Sequence, residues 1–196
     1  MNEEVMTEYT LKFDELNRLG QALIDTIDKT ASKEKQTEYA VDSILSFLID
    51  AYLLGYGHTS RMLDITDGQV SVDKMNDAIY EHIQGETFED RVRTHIDNED
   101  MNALYLLIGD EYHRVYALGS EDRALQIADM GYSVFKTWVT VGDDKVRDTH
   151  RFIDFVTVGV DSEFYTYDGD HASRPGGFQL AQNNCGCRCV LAYTRI

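Results

Sequence analysis

The segment Cys185-Gly186-Cys187-Arg188-Cys189 contains all three cysteines of the 196-residue chain within five positions. Alternate residues of a regular strand point to the same side, but their Cα atoms lie about 6.5–7 Å apart. A tetrahedral zinc ion, with Zn–S bonds of about 2.3 Å, needs its sulfur ligands closer than about 4 Å. We therefore expect the chain to bend within this segment, and Gly186 is the residue that allows the bend.

Three thiols need a fourth partner to complete a tetrahedral zinc site. His150 is the leading candidate, and His171 is a second one. The soft ligands predict a closed structural site rather than a catalytic one, and no glutamate that could act as a base lies near His150 in sequence. The spacing lacks the Cys-x-x-Cys pair of zinc ribbons and fingers. Three unligated thiols at the end of a strand therefore stay an alternative.

Residues 133–196, which include this segment, are typical of a small β-rich module. Their β-branched and aromatic side chains predict strands over residues 134–141, 152–160, 164–167 and 189–193. The module has few large aliphatic side chains, so its core is thin and needs a staple, for which a metal ion is the candidate.

The preceding residues 1–132 are predicted to be helical, because apolar side chains recur at a spacing of three to four residues. The first of these helices includes Leu16. Two glycines in Gly55-Tyr56-Gly57 are expected to end the second helix. Gly119 is expected either to interrupt the fourth helix or only to bend it.

The distribution of charge also changes between residues 1–132 and 133–196. The formal net charge is -17, from 18 basic and 35 acidic residues, and residues 133–196 account for only -1 of it. The acidic surface of residues 1–132 repels phosphate backbones, so direct nucleic-acid binding is not expected. The predicted fold class is α+β, with an acidic helical region over residues 1–132 followed by a small, β-rich, zinc-stapled Cys/His module over residues 133–196.

The composition is typical of a chain with a normal core, since 43% of the residues are hydrophobic and 27% are charged. No run of about 20 apolar residues is evident, so we expect no membrane span. The sequence Met1-Asn2-Glu3-Glu4 lacks the basic and apolar regions of a signal peptide, which predicts synthesis in the cytosol.

An ordered series of anchors between residues 135 and 189 resembles a known signature. The anchors are Lys136 and Trp138, Asp143 or Asp144 with Arg147 and His150, Ile153-Asp154, Glu163-Phe164, Arg174-Pro175, and Cys187-Arg188-Cys189. This order resembles that of the phage Mu F-like minor head proteins, also called the phage head morphogenesis family. Residues 110–119 look, more weakly, like the helix that precedes the signature in that family.

Departures from the family pattern bear on the site. Phe155 stands where the family has a glycine, so we expect a different turn there. Gly186 replaces the usual asparagine, Cys185 is additional, and Arg147 occupies a position where other branches of the family have a cysteine. Because arginine does not ligate cations, the resemblance implies that Cys185 takes over as a ligand. The predicted metal site then consists of His150, Cys185, Cys187 and Cys189.

Other distinctive residues are expected to be structural. Trp138 should anchor the core of the module, since a strand buries such a side chain for its large apolar area. Arg147 is expected to hold a turn by pairing with Asp143, Asp144 or Asp154, with a phosphate contact as the alternative. Four histidines are scattered singly through the predicted helices and are expected to be surface or internally hydrogen-bonded side chains rather than ligands: His58, His82, His95 and His113.

The resemblance implies a minor head (minor capsid) protein of a tailed double-stranded DNA bacteriophage or prophage, which assists head morphogenesis, portal-associated assembly or genome delivery. It implies portal, capsid or scaffold proteins as partners. It also implies a place in the virion, in the capsid interior or at the portal vertex, after synthesis in the host bacterial cytoplasm. No enzymatic activity and no catalytic residues are expected. Two alternatives stay open: a toxin or effector enzyme carried on such a module, and a zinc-stabilised interaction protein outside the virion.

Overall fold

Residues 18–196 are described by the computed structural model, so Leu16 of the first predicted helix lies outside the described residues. The helical part consists of α1 (residues 18–26), α2 (Lys33–Met62), α3 (Val72–Ile79), α4 (Phe88–Asp97) and α5 (Met101–Asp129). The remaining elements are β1 (Val134–Val139), α6 (Asp148–Phe152), β2 (Thr157–Gly159), β3 (Phe164–Tyr165), β4 (His171–Ala172), α7 (Ala181–Asn184) and β5 (Val190–Arg195). The α+β class predicted from the sequence is confirmed.

The two longest helices, α2 and α5, pack against each other through glycines. A Cβ atom at Gly119 would collide with the main chain of Tyr52, and one at Gly55 would collide with the carbonyl oxygen of Tyr116. The expectation that Gly55 helps to end the second helix is therefore wrong: α2 runs on to Met62, because this glycine permits close packing instead of a turn. Likewise, α5 continues through Gly119 without interruption.

Replacing Gly119 by alanine is expected to lower the free energy of unfolding by about 2–3 kcal/mol, because the added methyl group forces the α2 and α5 backbones apart. The matched control is Gly109→Ala in the same helix, where the added Cβ meets no atom within 4 Å. That change should stabilise the chain by up to about 1 kcal/mol through helix propensity. Denaturant unfolding of both variants measures the difference, and stabilisation at both positions would contradict the packing role of Gly119.

Among the described residues, α2 is the one helix that is long and apolar enough, by length and composition alone, to cross a membrane. The expectation that no such stretch exists is therefore not met. One face of α2 is nevertheless enclosed by protein: Ile44, Leu48 and Ala51 are fully buried, and the helix packs against α5 and α4. These contacts are those of a central core helix.

The three-stranded sheet has the order β2-β1-β5, with β1 antiparallel to both neighbours, and β3 and β4 form a separate antiparallel pair. Val139, Val190 and Ala192 join the core of the helical part. Trp138 lies in a second core that also includes Ala124 of α5. Both the helices and the strands therefore contribute apolar side chains to the second core. The domain boundary at residue 132 stays a prediction.

The strand predicted over residues 152–160 is only partly confirmed. Phe152 is the last residue of α6, and β2 begins at Thr157. A left-handed residue between them, Phe155 with a φ of 60°, separates the helix from the strand. His150 lies on the short helix α6.

Candidate metal centre

Three of the four predicted metal ligands meet in the second core. His150 lies on α6, and Cys187 and Cys189 immediately precede β5. The Nδ1 atom of His150 is 3.3 Å from Sγ of Cys189 and 3.7 Å from Sγ of Cys187. Each of the three residues is at most 3% exposed. Within residues 18–196 they form the one cluster of three or more potential metal ligands, with donor atoms within 4.8 Å of one another.

This arrangement fits a tetrahedral zinc ion. Zn–S bonds of about 2.3 Å and a Zn–N bond of about 2.0–2.1 Å, at the tetrahedral angle, place nitrogen and sulfur about 3.6 Å apart. The two nitrogen–sulfur distances, 3.3 Å and 3.7 Å, lie on either side of that value. An imidazole and two thiols are also the donor types that zinc prefers in closed structural sites.

Cys185 and His171 lie outside this cluster. Cys185 is exposed, and His171 forms an ion pair of 3.0 Å with Glu163. Gly186 has a φ of 64°, which confirms the bend expected at this glycine. The bend directs Cys187 into the core and leaves Cys185 at the surface. The role of Cys185 as a fourth ligand therefore stays a prediction.

The imidazole of His150 is held by aromatic packing. It stacks on Phe178 with a centroid distance of 5.3 Å and meets Trp138 edge-on at 5.5 Å. Trp138 is fully buried, as expected for the core anchor of the module. The second ring nitrogen, Nε2, is buried and has no hydrogen-bond partner among the described residues. The rings, and not a hydrogen bond at Nε2, therefore set the orientation of the imidazole.

The two buried thiols have opposite acidities. The pKa of Cys187 lies well below the ordinary thiol value, because Cys189 donates a hydrogen bond to the thiolate and His150 adds a second, against the cost of burial. The pKa of Cys189 is raised, because its proton is held in that hydrogen bond and because the thiol is buried. Cys187 is therefore the more acidic of the two thiols, and the thiolate is the form that binds a metal ion.

Helix α5 holds the cysteine segment in place through two side chains. His113 donates a hydrogen bond from Nε2 to the carbonyl oxygen of Cys189, at 2.8 Å. Asp110 accepts one from the backbone N–H of Gly186, at 2.7 Å, and burial raises the pKa of its carboxyl group. His113 is thus internally hydrogen-bonded, as expected. The role of Asp110 was not predicted, although residues 110–119 carried the weaker part of the family resemblance.

The turn after β1 is held by a different arginine from the one expected. Arg147 donates to the carbonyl oxygen of Cys185. Asp143 is instead paired with Arg188 through two hydrogen bonds of 2.7 Å and 2.8 Å, which lower the pKa of its carboxyl group. The cysteine segment folds back over this turn and brings Arg188 to it. Asp143 also accepts from the backbone N–H of Lys145 at 3.1 Å, as a carboxylate that caps a turn does.

A cluster of hydrogen bonds centred on Asp170, called the Asp170 staple below, was not predicted from the sequence. Its carboxylate accepts hydrogen bonds from the backbone N–H groups of His171, Gln179 and Leu180, at 2.9–3.2 Å, and from the Asn183 amide at 2.8 Å. Burial would raise the pKa of Asp170, but these hydrogen bonds outweigh it and lower the pKa. The staple joins the β4 loop to α7 beside the cluster.

Replacing Asp170 by asparagine is expected to lower the free energy of unfolding by about 2–3 kcal/mol near neutral pH, since hydrogen bonds to a charged acceptor are lost. Because the folded pKa is lowered, this stabilisation is complete above the unfolded value of about 3.9 and disappears as the pH falls through the folded value. Unfolding at a series of pH values measures it. The exposed Asp161→Asn is the matched control, and an equal loss in both variants would contradict the staple.

The fold and the site define a mixed helical and β protein with a buried, thiol-rich centre. Residues 71–192 match the model of the family described as Phage Mu protein F like protein, and the chain therefore belongs to this family. The resemblance inferred from the cysteine segment and its upstream anchors is thus confirmed. The matched region starts before α3 and includes α4 and α5 as well as the β-rich module.

Two curated proteins are similar in sequence to parts of the chain. Minor head protein GP7 of Bacillus phage SPP1 is 32% identical over 83 residues, which cover 42% of this chain and 27% of that protein. The NAD(+)--arginine ADP-ribosyltransferase EFV of Enterococcus faecalis is 25% identical over 147 residues, which cover 73% of this chain and 29% of that protein. The chain thus spans less than a third of the length of either relative. No solved structure gives a significant match.

Proposed function

We propose that the chain is a minor head protein of a tailed double-stranded DNA phage or prophage, located in the virion and in contact with portal, capsid or scaffold proteins. The observation that carries this proposal is the family match over residues 71–192, together with the 32% identity to a phage minor head protein. The net charge of -17 also fits a protein that must not adhere to packaged DNA.

Within this function, we propose that a zinc ion bound by His150, Cys187 and Cys189, with Cys185 as the predicted fourth ligand, stiffens the C-terminal module. When bound, the ion supplies crosslinking rather than reaction chemistry. The burial of the three clustered side chains supports a structural role, because a substrate has no access to them. A closed, soft-ligand site of this kind contributes folding free energy directly.

Binding to the portal protein of the same phage tests the head function. The full chain and the portal protein are purified separately and titrated against each other, and particles of the phage are analysed for the chain by mass spectrometry. Saturable binding, together with a fixed number of copies per particle, is the expected result. Absence of the chain from purified particles would overturn the proposal.

A second candidate, a toxin or effector enzyme, is favoured by the match to the Enterococcus faecalis ADP-ribosyltransferase. The matched part covers 29% of that protein, so the shared region need not include its active site. The purified chain can be incubated with NAD⁺ and an arginine-rich acceptor protein. Release of nicotinamide with labelling of the acceptor would favour the enzyme over the head protein.

A further inference from the structure

The β-rich module carries an exposed aromatic face. Its five large apolar side chains, which are 39–63% exposed, are Phe152, Phe155, Val156, Tyr165 and Tyr167. The rings of Phe152 and Tyr167 meet edge-on at 5.8 Å, which joins α6 to the segment after β3. Tyr165 and Tyr167 are both exposed, while Phe164 and Thr166, with which they alternate, are buried. Exposed apolar clusters of this kind mark interaction surfaces.

Phe155 adopts a backbone conformation that is unfavourable for its side chain. Its φ of 60° lies in the left-handed region, which glycine enters freely and bulky residues rarely adopt. The residue therefore adopts a backbone conformation that glycine favours, and the expectation that the turn differs from that of the family stays a prediction. Phe155 is 63% exposed, so burial of its side chain within the protein offsets little of this strain. Strained residues that the fold does not need are typical of binding sites.

The charges near the aromatic face in sequence define the partner it fits. Four exposed carboxylate residues lie in the same segments of the chain, and two of them are paired: Asp148 with Arg151 at 3.6 Å, and Glu163 with His171 at 3.0 Å. The carboxylate residues are Asp148, Asp161, Glu163 and Asp168. A second copy of the chain would present the same negative charge and be repelled, and so would DNA. A basic protein segment with apolar side chains is complementary in both respects.

We infer that the aromatic face is the docking surface for a basic, apolar segment of another head protein. This inference rests on the proposed head function and adds to it the surface and the chemistry of the partner. The aromatic rings supply the apolar anchors of the interface, and the carboxylates of the same segments set orientation and speed association.

The test uses the full chain and overlapping peptides that span the portal, scaffold and coat proteins of the same phage. Binding of the wild-type chain to a Lys/Arg-rich peptide, weakened by added salt, is expected. Phe155→Gly should raise the dissociation constant at least tenfold while the melting temperature stays equal or rises, since the left-handed strain is relieved. A structural role for Phe155 predicts the opposite, a lower melting temperature.

Tyr167→Ala and Tyr80→Ala form the matched pair of variants. Both tyrosines are 60% exposed, but Tyr80 follows α3 and lies outside the aromatic face. Loss of binding in Tyr167→Ala alone supports the inference. Equal binding by wild type, Phe155→Gly and Tyr167→Ala would overturn it, as would the lack of any bound peptide when the chain is present in particles. Absence from particles overturns the proposed head function instead.

Discussion

Replacing both Cys187 and Cys189 by serine is expected to abolish stoichiometric zinc binding and to unfold the β-rich module. Serine oxygens do not replace two thiolates as zinc ligands, and binding free energies of structural zinc sites are on the order of 10 kcal/mol. Trp138 is the only tryptophan of the chain and contacts His150, so its near-UV circular dichroism and fluorescence report on this region directly. The far-UV helical signal should largely persist, because most of the helical core lies away from the cluster.

Cys185→Ser is the matched control for this experiment. Cys185 is exposed and lies outside the cluster, so the serine variant should keep the tryptophan signal. Its effect on zinc affinity decides whether Cys185 completes the coordination: a tenfold or larger loss supports four protein ligands, and no loss supports three. Wild-type protein that was never exposed to chelator but lacks zinc by elemental analysis would contradict the metal proposal. Unchanged near-UV circular dichroism and melting of the Cys187→Ser, Cys189→Ser variant would contradict the proposal that zinc crosslinks the module.

Replacing Glu121 by glutamine is expected to lower the free energy of unfolding by about 3–5 kcal/mol. Glu121, on α5, lies 3.4 Å from the fully buried ammonium group of Lys136 and 3.0 Å from the guanidinium group of Arg174. Without the carboxylate of Glu121, the buried Lys136 ammonium group loses its ion-pair partner, which is strongly destabilising. Removing that charge in the double variant Glu121→Gln, Lys136→Met should restore part of the stability.

The pH dependence of the unfolding free energy tests whether Lys136 causes the loss of stability in Glu121→Gln. Burial lowers the pKa of Lys136 despite Glu121, so the unfolded chain holds this proton more tightly than the folded chain. Without Glu121 the folded pKa falls further. The deficit of Glu121→Gln relative to wild type should therefore shrink as the pH rises from 7 towards about 10. Glu89→Gln, which breaks the exposed 2.5 Å pair with Arg93, should cost less than about 1 kcal/mol and show no such trend.

Patterns that are local in sequence predicted much of the site. The spacing of the Cys187–Cys189 pair and the anchors upstream of it identified the family and two thiols of the buried cluster. His150 is part of the family signature and was predicted as their partner, and the fold does bring it to both sulfurs. The expected position of Cys185 beside them depended on the path of the chain around Gly186. A left-handed glycine can direct either neighbour inward, so the sequence did not decide between them.

By itself, the sequence determined the α+β class, the family and the burial of Trp138, because periodicity, residue spacing and side-chain size act over short stretches. Only the tertiary structure decided which glycines end a helix and which allow two helices to pack closely. Gly55 was expected to help end α2, but it lies at the contact of α2 with α5. The tertiary structure also decided that Lys136 is buried beside Glu121 and that Asp170 staples a loop. Such partners are distant in sequence, and only packing determines which charges lose water and which backbones approach.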